Sequence, residues 1–182
     1  MTIYTVGHST RAEDEFIALL RAHGIRLLVD VRRYPGSRRH PHFSRESLER
    51  TLPAHGIRYE HVPALGGRRT PAPDSPNGAW RSASFRAYAD YMATPVFQDA
   101  LAGVVADATE TATAIMCAEA VPWRCHRQLI ADALVAHGHD VLNILTPDRA
   151  EPHRLNEHAR VGPDGTVTYP AEAAGDTQTT LF

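Results

Sequence analysis

No lysine occurs in this chain, so all 19 basic residues are arginine. That excludes Schiff-base chemistry and leaves anion recognition to planar guanidinium forks, which match phosphate and carboxylate geometry. Cysteine is nearly absent too. Two residues in 182 make no disulfide framework, and in a reducing compartment they are expected to be free thiols, metal ligands or a redox pair. No apolar run approaches the roughly 20 residues that cross a bilayer. The N-terminus has no charged region leading into an apolar stretch, so a cytoplasmic protein is expected. What remains is ordinary: 43% hydrophobic residues, 22% charged residues and a formal charge of −2. This composition excludes wholesale disorder and suits one domain with a proper core.

The charge is unevenly placed. "RRYPGSRRHPHFSR", residues 32–45, carries five arginines and two histidines without an acid. Its prolines and glycine favour a defined loop. Such a block is either a solvated surface or a patch facing an anion.

Strand and helix signals alternate. "IYTVGHS" is a short β-branched and aromatic run closed near Gly7, and reads as a strand. "RAEDEFIALLRAHG" places Phe16, Ile17, Leu19 and Leu20 on one helical face, with acids in its first turn and Gly24 after its end. "IRLLVDVR" is an apolar run of strand length, which completes a βαβ unit with parallel strands. "SRESLERTLPAHG" predicts a helix capped by Ser44 and halted near Gly56, and "IRYEHVPAL" a third strand. "GGRRTPAPDSPNGAW" reads as a long mobile loop or lid. "SFRAYADYMATPVFQDALAGVVADA" supplies one or two helices broken near Pro95. "TATAIMC" is a strand, "RQLIADALVAHG" a helix and "HDVLNIL" a last strand. The expectation is a single α/β domain over residues 1–146, with a mainly parallel sheet flanked by helices, and a mostly irregular tail over 147–182.

Ligands of such sheets lie beyond the carboxyl ends of the strands. The first strand runs out at His8 and Ser9, the second at Asp30 and Arg32, and a later one at Cys117 and Glu119. That convergence directs attention to "CAEAVPWRCHR", residues 117–127, which holds both cysteines. A cysteine ending a strand ahead of a helix is similar to the site of rhodaneses and cysteine phosphatases, where backbone N–H groups curl around an anion and the thiol pKa falls. "LLVDVR" is similar to a rhodanese strand as well. This loop is longer, lacks glycine and contains Pro122. A zinc deaminase is excluded, because its signature needs two cysteines spaced C-x-x-C after the proline and only Cys125 follows here. Cys117, Cys125, His126 and His8 match no recognised zinc spacing and stand as a minor possibility. The plain alternative is that Cys117 is a small buried hydrophobe.

Taken together, "YTVGHS", "LLVDVRRYPGSRRHPHF", "GIRYEHVPALGG" and "MCAEAVPWRCHRQLIADAL" resemble the family known as domain of unknown function 488, over roughly residues 3 to 145. The resemblance implies a compact bacterial-type α/β domain without an established activity. The family's characteristic positions fall on His8, Ser9, Asp30, Arg32, Pro35, Ser37 and Arg38, and on Cys117, Glu119, Cys125, His126 and Arg127.

These residues set up a leading expectation: an enzyme acting on a phosphate-bearing substrate, a nucleotide or nucleic acid. In it, Cys117, Glu119, His126, His8 and Asp30 carry the chemistry, while Ser9, Arg32, Ser37, Arg38 and Arg127 hold the anion. Cys117, favoured as thiolate by arginines and a helix N-terminus, is expected to be the more reactive thiol. Two alternatives stay open. One is a non-catalytic nucleic-acid or clamp-associated binding module, and the other a thiol redox protein using Cys117 and Cys125. Whether the chain is an enzyme is therefore undecided at this level, and its cofactor is unknown. The final "QTTLF" resembles the bacterial sliding-clamp-binding pentapeptide, which would make Gln178, Leu181 and Phe182 partner-binding residues. A terminal Leu-Phe packed on its own domain is the alternative.

Overall fold

Five parallel strands form the body of the sheet because short, β-branched and apolar runs alternate with amphipathic helices along the chain. The computed structural model describes residues 1–36 and 39–171. Ser37, Arg38, Gln178, Leu181 and Phe182 therefore lie outside the described residues. The elements are β1 (Thr2–Gly7), α1 (Glu13–Ala22), β2 (Leu27–Asp30), α2 (Arg45–Thr51), β3 (Arg58–His61), α3 (Ala83–Met92), α4 (Pro95–Glu110), β4 (Thr113–Cys117), α5 (Arg127–Ala136), β5 (Asp140–Thr146), β6 (Arg149–Pro152), β7 (Arg160–Val161) and β8 (Val167–Thr168). The main sheet has the order β3-β2-β4-β1-β5-β6, in which only β6 is antiparallel to its neighbour. The chain is thus an α/β protein with a mainly parallel sheet flanked by helices.

The pleat sends alternate residues to two separate cores. Ile3, Leu27, Val29, Val31, Ile115 and Cys117 pack with α3, α4 and α5. Val6, Leu28, Ala114 and Met116 pack with Phe16 and Leu20 of α1 and Leu48 of α2. Buried on both faces, β2 and β4 are apolar almost throughout, as central parallel strands must be. Helix boundaries follow their capping chemistry. Ser44 accepts from the Ser47 amide at the start of α2, and Gly56 takes the left-handed conformation (φ 72°) that ends the turn following it. The long helical stretch is two helices, with Thr94 capping the second and Pro95 in its first turn.

Three expectations change. The third strand stops at His61, and Pro63–Leu65 forms a 3-10 turn instead, since proline has no N–H to donate to a ladder. Residues 66–80 have no helix or strand but are not a free lid. The Asp90 carboxylate accepts from Ala72 N (3.0 Å), Asn77 Nδ2 (2.8 Å) and the Ser75 hydroxyl, and Asn77 is 1% exposed. The chain beyond residue 146 is tied to the domain. β6 pairs with β5, β7 pairs with β8, and the fully buried Tyr169 donates its hydroxyl to Asp132 of α5 at 2.7 Å. Asp132 also accepts from His153 Nε2 (2.7 Å) and Asn156 N (3.1 Å), so one buried carboxylate gathers three points of this polar stretch. No helix among the described residues is long and apolar enough to cross a membrane.

Candidate active site at the carboxyl edge of the sheet

Strand register brings the polar strand ends to one level. Gly7 lies beside Cys117, and Asp30 lies between Met116 and His61. The β1–β4 ladder continues past the strands, with His8 N donating to Cys117 O (3.0 Å) and Ser9 N to Ala118 O (2.9 Å). This draws residues 118–120 across the end of β1. A Cβ on Gly7 would stand 1.8 Å from the Glu119 carbonyl oxygen, so only glycine lets the loop lie there. Ser9, at φ 55°, makes the turn away from the sheet.

On the α1/α2 side of the sheet, Asp30 is fully buried and saturated. It accepts from Arg32 N (3.0 Å), Arg32 Nε (2.8 Å), Arg32 Nη2 and the Tyr59 hydroxyl (2.7 Å). Arg32 Nη2 also donates to Phe43 O (2.8 Å), while Nη1 donates to His8 Nε2 at 3.1 Å. His8 must therefore carry its proton on Nδ1, which donates to Ser9 O at 2.8 Å. Its ring stacks on Phe43 at 4.2 Å. Burial and the Arg32 charge lower the His8 pKa to about 4, so the imidazole is neutral at neutral pH with its lone pair occupied. Tyr59 is pushed up by burial and by the Asp30 charge.

The thiols lie on the other face. Cys117 is 2% exposed, and its sulfur accepts from Arg127 Nη1 at 3.2 Å. Arg127 is itself 1% exposed and donates also to Glu119 O (3.2 Å) and Ala120 O (3.3 Å), while its Nε has no partner among the described residues. Of these three acceptors only the sulfur can carry a negative charge, and no ion pair among the described residues involves Arg127. A hydrogen bond from the Cys125 thiol and the Arg127 guanidinium outweigh burial and bring the Cys117 pKa down to about 7. Cys125 is pushed well up, by its bond to Cys117 and by burial.

Two details differ from expectation. The first amide of α5, Arg127 N, points at the Cys125 sulfur (3.5 Å), so the helix start serves Cys125 rather than Cys117. The loop turns carbonyls, not amides, inward onto Arg127, so at those positions it is no backbone cradle for an anion.

Cys117 and Cys125 border a cavity of about 380 Å³. Arg32, Glu119 and His126 line it too, with Glu119 at the exposed rim. The His126 ring leans on Tyr88 at 4.9 Å, with Nδ1 3.6 Å from the Cys125 sulfur. Burial and the charges of Arg127 and Arg69 lower its pKa to about 4. His8, Ser9 and Asp30 share the carboxyl edge but do not line this cavity. Among the described residues no three His, Cys, Asp or Glu side chains group to hold a metal ion. The Cys117, Cys125, His126 and His8 set is not assembled, because His8 is bound to Arg32 on the other face.

The wall also contains residues that sequence reasoning did not assign: Arg33, Tyr34, Arg68, Phe85 and Arg124. Arg33 Nη1 donates to Arg68 O (2.9 Å), and both guanidiniums lie within 6 Å of the Tyr34 ring, at 5.8 and 5.7 Å. Arg33, Arg68 and Arg124 take part in no ion pair among the described residues. The one readable sign was "GG" before Arg68. A Cβ on Gly67 would come 3.1 Å from His126 Nδ1, so this turn packs tightly against the thiol loop.

Neither a curated protein nor a solved structure matches the chain. A family model matches residues 13–134, a span that includes the second strand end, both cysteines and Arg127, and on that match the chain belongs to the family described as domain of unknown function DUF488.

Proposed function

We propose that this protein is a cytoplasmic enzyme acting on a phosphate-bearing substrate, a nucleotide or nucleic acid, with the Cys117 thiolate as nucleophile. The observation that carries the reading is the buried Arg127–Cys117 pair, whose sulfur lies at the wall of a cavity that Arg33, Arg68 and Arg124 line without an ion pair among the described residues. A guanidinium removed from water without a carboxylate is expensive to bury unless another anion compensates it. The thiolate is that anion, and it is also the strongest nucleophile on the cavity wall. Arg33, Arg68 and Arg124 supply the forks for a phosphate, a task that Arg32, already held by Asp30, shares less. In the reaction a sulfur electron pair forms the bond to the electrophilic atom. The leaving group departs with the pair of the broken bond and takes a proton from Glu119 or solvent. His126, neutral beside the sulfurs, is the other proton carrier within reach. Asp30 and His8 act as positioning residues that fix Arg32.

The test is iodoacetamide labelling of Cys117 in the presence of inorganic phosphate or a nucleoside monophosphate. Protection of Cys117, together with retained ligand affinity but lost turnover in Cys117→Ser and Glu119→Gln, is expected. Equal labelling with and without these anions would remove the anion site.

One observation favours a second reading. Cys117 and Cys125 border the same cavity, and Arg127 reaches both sulfurs, through Nη1 (3.2 Å) and through its backbone amide (3.5 Å), which suits a thiol redox protein. There Cys117 attacks a disulfide substrate, releasing one thiolate. Cys125 then attacks the mixed disulfide at Cys117, releasing the second thiolate and closing the internal disulfide. Treatment with glutathione disulfide distinguishes the two, since only a redox protein ends as an internal Cys117–Cys125 disulfide without retained glutathione.

A further inference from the structure

Two aromatic side chains stand strongly exposed among the described residues, Tyr34 at 65% and Trp123 at 62%. Scattered apolar residues on a surface need no explanation. These two are not scattered. Tyr34 borders the thiol cavity, flanked by the guanidiniums of Arg33 and Arg68. Trp123 lies in the 3-10 turn Pro122–Arg124, whose next residue, Arg124, faces the same cavity. Trp123 itself faces a second depression of about 550 Å³, lined also by Asn143, Glu151 and Arg154. The two depressions therefore meet at one turn, each with an exposed aromatic ring and at least one exposed arginine that is in no ion pair among the described residues. Acidic side chains on these walls are few: Glu119 in the first, and in the second Glu151, which is paired with Arg149.

Planar faces beside exposed guanidiniums across adjoining hollows complement a chain in which flat rings alternate with phosphates. We infer that the substrate class is single-stranded nucleic acid, one nucleotide entering the thiol cavity beside Tyr34 while a neighbouring base stacks on Trp123. This rests on the proposed reading of the Cys117 pocket and narrows it. A duplex keeps its base faces stacked internally, where Trp123 cannot reach them. A free mononucleotide would fill one hollow and leave Trp123 idle, and an acidic peptide would satisfy the arginines without offering rings to stack.

The experiment titrates the full chain with single-stranded DNA and RNA oligonucleotides of about ten nucleotides, within the site sizes of stacking grooves. Tryptophan emission and fluorescence anisotropy are the readouts. The other tryptophan, Trp80, is half-buried against Phe85 at 5.0 Å, so Trp123→Phe identifies which ring is quenched. Single strands are expected to quench Trp123 and to bind more weakly as salt rises. Trp123→Ala and Tyr34→Ala should each weaken binding by about tenfold, with affinity recovered in Trp123→Phe. Equal or tighter binding of the duplex, of a nucleoside monophosphate or of a glutamate-rich peptide overturns the inference, as does unchanged affinity in both alanine variants. Protection of Cys117 by phosphate without oligonucleotide binding would overturn it alone and leave the nucleophile reading standing. Loss of both removes both.

Discussion

Arg127 and Cys117 form a buried ion-pair-like contact at 3.2 Å, with the guanidinium 1% and the sulfur 2% exposed. Each explains the other. Among the described residues the arginine has no carboxylate partner, so a neutral Cys117 would leave its charge uncompensated in a low-dielectric site. The thiol would be disfavoured as an anion by burial if the arginine and the Cys125 thiol did not offset that cost. The contact spans a strand end and a helix start, so the folded sheet builds it.

The loop that carries this pair depends on Gly7. Gly7→Ala would force a Cβ into the Glu119 carbonyl, against a backbone atom that cannot swing aside. The expected cost is about 3 kcal/mol, or displacement of the loop. Urea unfolding measures the first, and the labelling rate of Cys117 reports the second. A variant with unchanged midpoint and unchanged labelling would show that the close approach is unnecessary.

The Asp30–Arg32 pair predicts a larger loss. Asp30→Asn keeps the shape but leaves the Arg32 charge, 9% exposed, without its counter-charge. Breaking a buried pair from one side costs about 3 kcal/mol or more. The thermal or urea midpoint should fall accordingly, while the Cys117 titration, on the other face of the sheet, should shift little. A large shift of the thiol would mean that the two networks act as one.

Stability should also fall on mild acidification. Burial keeps His8 and His126 neutral, each with a pKa lowered from 6.5 to about 4. Between these values the unfolded chain takes up protons that the folded chain does not. The contribution is therefore complete above pH 6.5 and is lost as pH falls towards 4. Its ceiling is about 3 kcal/mol per histidine. Urea midpoints measured across this range should decline, and His126→Gln should remove one proton's share of the slope. A flat profile would mean that neither ring is held neutral.

Strand ends were legible because short apolar and β-branched runs closed by polar residues mark them, so "VGHS", "VDVR" and "MCAE" pointed to one edge of the sheet. The face was not legible. His8 and Asp30 turned away from Cys117 because pleat parity and the Arg32 bonds decide their direction, and both depend on neighbours distant in sequence. Arg127 was expected to hold the anion, and its full burial against Cys117 was not legible, since arginine is seldom fully buried. Arg68 joined the cavity through the Gly66–Gly67 turn, held where Arg69 donates to Gly66 O and covers the Tyr91 ring at 3.6 Å. Likewise Tyr169 was hidden in a polar tail, although its hydroxyl ties that tail to Asp132.

The most direct measurement is the thiolate absorbance of Cys117 followed against pH, in the native chain and in Arg127→Met, with Cys125 replaced by serine in both to isolate one sulfur while keeping a hydrogen-bond donor. Circular dichroism confirms that each variant is folded. The account predicts a titration step near pH 7 in the chain that keeps Arg127, and a step moved upward once the guanidinium is gone. A Cys117 that titrates as an ordinary thiol, or whose step ignores the loss of Arg127, would contradict it.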